Sequence, residues 1–378
     1  MANFDISKPQ LQFAMTHSNL SEISHGLQST GRGPGSQSDA TAANAPTGAL
    51  DIAVIIVTFK SAILTIESLR SLLTERATPG LSLRAIVVDN ASGDLPEIAD
   101  AVRRFNWSSW VSLVLAPKNG GFAYGNNLGI ACAYASDPPG YVYLLNPDAQ
   151  VRPGAVGSLV RFLESHRDVG IAGGRFENLD GSDCSIAFRF PNMMSEVDRG
   201  LEFGLVSRLL KPWNTVRHMG RSNERVDWIC GASMMIRPEV FAAIGGLDEN
   251  YFLYFEETDF CWRAREAGFS TWYVPESCVM HIGGQSTAVA FLTDGPKRLP
   301  PYWFESRRRY FFLTFGVLRA MTIDVVAVAA QLLGSLKRIL QGRQDRAIPH
   351  YLRDLIRFSV LRQRNRDIPP ARIKIAVV

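Results

Sequence analysis

The sequence predicts an α/β domain built on a mostly parallel sheet with helices on both faces. Short β-branched apolar runs alternate with segments whose apolar residues recur every three or four positions. Polar or glycine-rich residues follow directly on four of those runs, in VTFK, VVDNAS, APKNGGFAYGNN and LLNPDA. Open sheets of this class bind ligands at the carboxyl ends of their strands, so this recurrence points to a nucleotide-type site.

The elements follow in order. DIAVIIVTF is short, β-branched and stopped by polar residues, as a strand buried on both faces would be. Ile63, Ile66, Leu69, Leu72 and Leu73 mark one face of a helix. After Gly80 comes a second buried strand, LRAIVVDN, then a helix in EIADAVRRF and a third strand in WVSLVLAP. GNNLGIACAYA reads as a helix, and YVYLLNPDA and TWYVPESCVM read as further strands.

The flanks differ from this core. Residues 1–48 are rich in Ser, Gly, Ala, Asn, Gln and Thr, and are expected to form a disordered extension that buries too little apolar surface to offset chain entropy. Composition as a whole is that of a soluble globular chain: 378 residues, 46% hydrophobic, 20% charged, net charge +4. The charge is uneven, because residues 296–378 hold 17 Lys and Arg against 5 Asp and Glu. That suggests an anionic partner, either a membrane surface or a phosphorylated ligand, or more plainly a solvated basic helix face. No apolar run there reaches about 18 residues without a charge, so a spanning helix is not expected. Basic clusters at Arg307-Arg308-Arg309 and Lys337-Arg338 flank an apolar stretch. Such a segment either lies in a membrane interface or packs as helices on the preceding domain or on another subunit. Nucleic acid is not an expected partner, since the basic residues fall outside the sheet and lack an interleaved aromatic platform. Five widely spaced cysteines without CxxC fit a reducing, cytoplasmic setting, and MANFDISKPQ shows no basic flank leading into an apolar signal core.

Five motifs carry the chemistry. Asp89 and Asn90 end a strand, where they could bond a base edge or a ribose, or simply close an Asx-turn. In NGGFAYGNNLG, glycines 120, 121 and 125 admit a ligand close to the backbone, and the following helix offers free N–H groups to phosphate. This loop is neither a Walker loop nor a good GxGxxG. In Asn146-Pro147-Asp148, a lone carboxylate after a strand suits a divalent ion that grips a diphosphate, or a Pro-Asp turn. His281 is a further ligand for such an ion or an ordinary structural histidine. In YFLYFEETDFCWRAREAG, Glu256, Glu257 and Asp259 crowd together beside Tyr251, Phe252, Tyr254 and Phe255. Carboxylates so placed resist ionisation unless paired. They could instead cap a helix, on which Asp259 and Arg263 are spaced to pair.

Together and in this order, these segments and CGASMMIRPEVFAAIGGLDEN resemble glycosyltransferase family 2, in the branch containing rhamnosyltransferases of cell-surface polysaccharide synthesis. The resemblance covers about residues 51–290. It implies a GT-A catalytic domain over 49–295, followed by a basic amphipathic helical region over 296–378. It implies that Thr58, Asp89 and Asn90 surround the base and ribose, and that Asn119, Gly121, Phe122 and Asn127 lie by the donor. Asn146-Pro147-Asp148 matches the family's Asp-X-Asp metal motif with Asp148 as the retained carboxylate, and His281 matches a histidine completing a Mg²⁺ or Mn²⁺ site. Trp228, Gly231 and Ala232 match the acceptor side.

The implied reaction is inverting transfer of a sugar from a nucleotide-sugar, with L-rhamnose from dTDP-rhamnose as the branch suggests, to a surface glycan or lipid-linked glycan. One carboxylate takes the acceptor proton and the metal absorbs charge on the leaving diphosphate. Glu257 matches the base, with Glu256 and Asp259 as supports. Two departures stand out: Glu256-Glu257-Thr258-Asp259 replaces the usual Glu-Asp-X-Asp, and Lys60 stands where Asn is common. A catalytically degenerate scaffold is one alternative. A sugar nucleotidyltransferase is another, although its basic glycine-rich loop is missing. The implied location is cytoplasmic, at the inner face of the plasma membrane if the tail binds lipid.

Overall fold

A computed structural model describes residues 49–184, 186–201, 203–281, 297–342 and 348–359. The expected disordered extension, 1–48, lies outside the described residues.

The first half is a run of strand–helix repeats: β1 (Leu50–Thr58), α1 (Ala62–Arg76), β2 (Leu81–Asp89), α2 (Leu95–Arg104), β3 (Val111–Leu115), α3 (Gly121–Ser136) and β4 (Tyr141–Leu145). These strands pair in parallel in the order β3-β2-β1-β4. Every residue from Ile52 to Ile56 is fully buried. Successive side chains on a strand point to opposite faces. Ile52, Val54 and Ile56 therefore join the core under α1 and α2, while Ala53 and Ile55 join the core under α3.

The second half adds β5 (Ala149–Val151), α4 (Ala155–Ser165), β6 (Val169–Glu177), β7 (Ile186–Phe188), α5 (Met193–Leu201), α6 (Gly204–Leu210), β8 (Val216–His218), β9 (Glu224–Val226), β10 (Ser233–Ile236), α7 (Pro238–Ile244), α8 (Glu256–Glu266) and β11 (Ser270–His281). β10 lies antiparallel between β4 and β6, β6 and β11 pair in parallel, and β5 and β9 pair antiparallel with β11. The sheet is thus parallel through its first four strands and mixed beyond. β10 is short and carries two methionines, so neither β-branching nor length marks it in the sequence.

The C-terminal region forms α9 (Pro301–Leu340) and α10 (Tyr351–Arg357). α9 breaks at Gly316, whose φ of 78° is left-handed. Arg307, before the break, donates to Glu196 Oε2 on α5 at 2.7 and 2.8 Å and to Asp324 Oδ1, after the break, at 2.6 Å; all three side chains are buried. Gly200 and Gly334 let α5 and α9 touch backbone to backbone. The expectation of no helix able to span a membrane needs correction. α9 is long and apolar enough to cross one by length and composition, because Arg319 and Asp324 interrupt the apolar run without dominating it. The outward side of α9 exposes Leu318, Leu332, Leu333, Leu336, Ile339 and Leu340.

Candidate active site

The glycine loop meets the aromatic segment directly. Gly121 has φ 88°, and a Cβ on it would fall 1.8 Å from the Phe252 carbonyl oxygen. Phe122 N donates to that same oxygen at 2.9 Å. Tyr254 and Phe255, both at φ 70°, hold two consecutive left-handed turns just ahead of α8. Side-chain-bearing residues avoid that region, and such strain persists where surrounding structure enforces it. The turn starts α8 at Glu256, so the carboxylates occupy its first turn, where the helix dipole favours negative charge.

The three carboxylates differ in their surroundings. Glu256 is 1% exposed and its Oε2 has no hydrogen-bond partner. Burial, and then the charge of Glu257, push its carboxyl well above the usual range. Glu257 is partly exposed, and its Oε1 accepts from Gly231 N at 3.2 Å. Burial raises its carboxyl too, against the backbone donors that favour the ionised form. Asp259 is consumed by structure: its Oδ2 accepts from Arg263 Nε at 2.7 Å, and Arg263 also donates to the Ile244 and Gly246 carbonyls. It fastens α8 to the loop after α7.

Asp148 sits on the turn between β4 and β5, 2% exposed, with neither carboxylate oxygen hydrogen-bonded. β11 pairs with β5 so that His281 lies opposite Ala149. That register brings His281 Nε2 to 3.3 Å from Asp148 Oδ1 and to 3.4 Å from Asn146 Nδ2. An orphaned buried carboxylate is costly, and beside an imidazole it is a donor set that fits a divalent cation. Among the described residues no group of three or more His, Cys, Asp or Glu side chains gathers around a common point. Mg²⁺-type sites need no more, because they use one or two carboxylates and take the rest from phosphate and water.

The polar residues expected around the nucleotide are bonded within the protein. Asp89 accepts from Ser92 N, Ser92 Oγ, Gly93 N and Leu95 N, which fills a carboxylate's capacity and closes a turn. Asn90 donates to Asn119 Oδ1 at 3.1 Å and to Gly121 O at 3.0 Å, clamping the end of β2 to the glycine loop. Asn127 exchanges hydrogen bonds with Leu247 and donates to Glu249. Thr58 Oγ1 donates to Asp94 Oδ2 at 2.6 Å, and Asp94 also holds Ser61 N. Asp94 was not singled out in the sequence. Its signal is an acidic residue just before the Leu-Pro that opens α2.

Of the residues expected on the acceptor side, Trp228 stacks on Phe188 at 4.1 Å and donates to Arg189 O. Gly231 is packed so closely that an added Cβ would meet the Phe122 ring at 2.8 Å and Glu257 Oε1 at 3.1 Å. Ala232 O accepts from Asn146 N at 3.3 Å. The consecutive residues Gly231 and Ala232 therefore join Phe122 and Glu257 on one side to the Asn146, Asp148 and His281 group on the other.

Comparison with known proteins bears on the family and the fold. Residues 53–197 match the family model Glycosyl transferase family 2. The N-acetylglucosaminyl-diphospho-decaprenol L-rhamnosyltransferase of Mycobacterium tuberculosis (strain ATCC 25618 / H37Rv) is 29% identical over 231 residues, 57% of this chain and 70% of that protein. Rhamnosyltransferase WbbL of Escherichia coli (strain K12) is 28% identical over 169 residues, 43% of this chain and 61% of that protein. The crystal structure of GalNAc-T7 with UDP, GalNAc and Mn²⁺ matches with a TM-score of 0.50 at 15% identity, over 81% of this chain and 57% of that one. At that identity the match speaks to the fold, which is GT-A, and this chain spans little more than half of that neighbour. Residues 53–197 thus form a glycosyltransferase family 2 domain by that match, and the chain around them is similar to the two rhamnosyltransferases.

Proposed function

We propose that the chain is an inverting, metal-dependent transferase that moves L-rhamnose from dTDP-rhamnose to a surface glycan or its lipid-diphosphate-linked precursor. The observation that carries the metal-dependent part is Asp148, a buried carboxylate without hydrogen-bond donors, with His281 at 3.3 Å. Asp148 and His281 would hold the divalent ion, which supplies charge stabilisation to the departing diphosphate. The Mn²⁺ and UDP named with GalNAc-T7 support that kind of site. Both relatives are rhamnosyltransferases, which supports rhamnose, and the mycobacterial one acts on a diphospho-decaprenol, which supports a diphospho-lipid acceptor.

Glu257 takes the proton of the acceptor hydroxyl. It is partly exposed, unlike Glu256, and Gly231 N holds one of its oxygens in place. The charge of Glu257 opposes ionisation of the neighbouring buried Glu256, so the pair does not readily carry two charges. Asp259 positions the helix through Arg263. Trp228 and Phe188 offer a paired aromatic surface to a sugar face. The reading sets the enzyme on the cytoplasmic face of the membrane that carries its acceptor, supported by the exposed apolar side of α9 and by Lys337 and Arg338 near its end.

The deciding experiment is a donor screen on the full chain. It follows nucleoside diphosphate release from UDP-, dTDP- and GDP-sugars with Mg²⁺ or Mn²⁺, then with EDTA. Release from dTDP-rhamnose that stops with EDTA is the expected result. Release unaffected by EDTA removes the metal from the reading, and preference for another donor removes rhamnose.

A further inference from the structure

At the far end of α8 from the carboxylates, four guanidiniums converge. Arg189, Arg217, Arg225 and Arg265 line a cleft of about 380 Å³, floored by Val226, Asp227, Ser270 and Thr271. Arg265 lies eight residues beyond Glu257, about 12 Å along the helix axis, so the cleft is separate from the carboxylate site. Five parts of the chain build it: the residue after β7, strand β8, strand β9, the last turn of α8, and the start of β11.

The local carboxylates do not balance these cations. Glu224 holds Arg217 at 2.8 Å, and Glu266 meets Arg265 at 3.2 Å. Asp227, the carboxylate that lines the cleft, accepts from Phe190 N. Arg189 donates to the Asn214 carbonyl and Arg217 to the Arg225 carbonyl. Among the described residues neither Arg189 nor Arg225 has a carboxylate within 4.0 Å, and Asp227 acts on Arg189 only from beyond that distance. Burial, and then the charge of Arg217, weaken the hold of Arg189 on its proton, against the smaller opposing charge of Asp227. Arg265 is fixed in place, stacked between the rings of Trp262 at 4.0 Å and Phe190 at 4.6 Å. Fixed guanidinium forks at a shared cleft suit a tetrahedral, multiply charged oxyanion better than a single carboxylate, because each fork can take two oxygens. The volume is that of a small-molecule pocket rather than a monatomic ion site.

We propose that this cleft binds a phosphoryl group, a phosphate or diphosphate, through Arg189, Arg217, Arg225 and Arg265. The group has two sources of the same chemistry, the diphosphate of a lipid-linked acceptor or a phospholipid headgroup. Only the acceptor source rests on the transferase reading above.

Inorganic pyrophosphate is titrated into the full chain in EDTA, with the release of heat as readout, for wild type, Arg225→Gln, Arg189→Gln/Arg225→Gln and Asp148→Asn. Wild type and Asp148→Asn should bind alike, and the double variant about tenfold more weakly. Arg225 is exposed, so Arg225→Gln keeps the test valid should the double variant fail to fold; it should bind about threefold more weakly. Absence of binding by wild type, or binding untouched by the arginine substitutions, overturns the proposal. Loss confined to Asp148→Asn also overturns it, since the anion would then sit at the catalytic site.

Two further arms name the source. A raised KM for a water-soluble alkyl-diphospho-sugar acceptor at unchanged kcat in Arg225→Gln assigns the acceptor diphosphate. Weakened flotation of that variant on phosphatidylglycerol vesicles assigns a headgroup. Failure of all donors in the donor screen leaves the pyrophosphate titration readable, so the two readings fail separately.

Discussion

His281 Nε2, at the end of β11, lies 3.3 Å from Asp148 Oδ1, on the turn that leads into the edge strand β5. The carboxylate has no other hydrogen-bond donor, so its charge is compensated by this imidazole or by a bound cation. His281→Ala is expected to lower Mn²⁺ affinity about 10–100-fold, measured by the Mn²⁺ electron paramagnetic resonance signal rather than by turnover. Unchanged Mn²⁺ binding would remove the histidine from the site.

Glu257→Gln should fold, bind donor as wild type does, and lose about 10²–10⁴ in kcat. Donor calorimetry and single-turnover rates on the same preparation separate the two effects. Glu257→Asp restores the family's usual residue one methylene shorter, and is expected to keep part of the activity. Equal kcat in wild type and Glu257→Gln would assign the proton to another group.

The pH dependence has a definite sign. Burial raises the carboxyls of both Glu256 and Glu257, so the folded chain holds their protons at pH values where the unfolded chain has lost them. Their contribution to stability is fully present below the usual glutamate range and is lost as pH rises through the raised folded values. Glu256→Gln removes the more deeply buried of the two charges. It should raise the melting temperature at pH 8 and change it little at pH 5. A variant that melts lower at pH 8 would mean that the ionised Glu256 is stabilised by a partner. Activity runs the opposite way, because the base works ionised: kcat should climb with pH along an acid limb displaced above an ordinary glutamate.

Gly121→Ala combines a left-handed φ with a clash against the Phe252 carbonyl. It should cost about 2–4 kcal/mol in urea unfolding and disturb the approach of the glycine loop to α8. A loss below 1 kcal/mol, on the order of one surface substitution, would show that the loop can move away from Phe252.

Arg307 holds Glu196 and Asp324 in a buried cluster between α5 and both halves of α9. Arg307→Met alone leaves two buried carboxylates and should destabilise by about 3–5 kcal/mol. Replacing all three residues by apolar side chains should recover most of that loss. Chemical denaturation of the single and triple variants checks both.

Local pattern determined a large part of this protein. The buried runs from Asp51 to Asp89 and the polar residues that end them are written in consecutive residues, so the parallel half of the sheet and its ligand-facing edge were legible. So were the glycine loop, Asp148 and the acidic start of α8, because turn and helix-start chemistry is local. Tertiary structure decided what these residues touch. The pairing of β11 with β5 made Asp148 and His281 neighbours, and no spacing along the chain specifies that register. Asp89, Asn90 and Asn127 proved to be bonded within the protein, because side-chain partners depend on which loops the sheet brings together. The break at Gly316 and the Arg307 cluster turned a charged apolar run into two helical halves held against each other and against α5. The arginine cleft draws on five separate parts of the chain. Periodicity reports which face of an element is buried, and only long-range packing decides what that face is buried against.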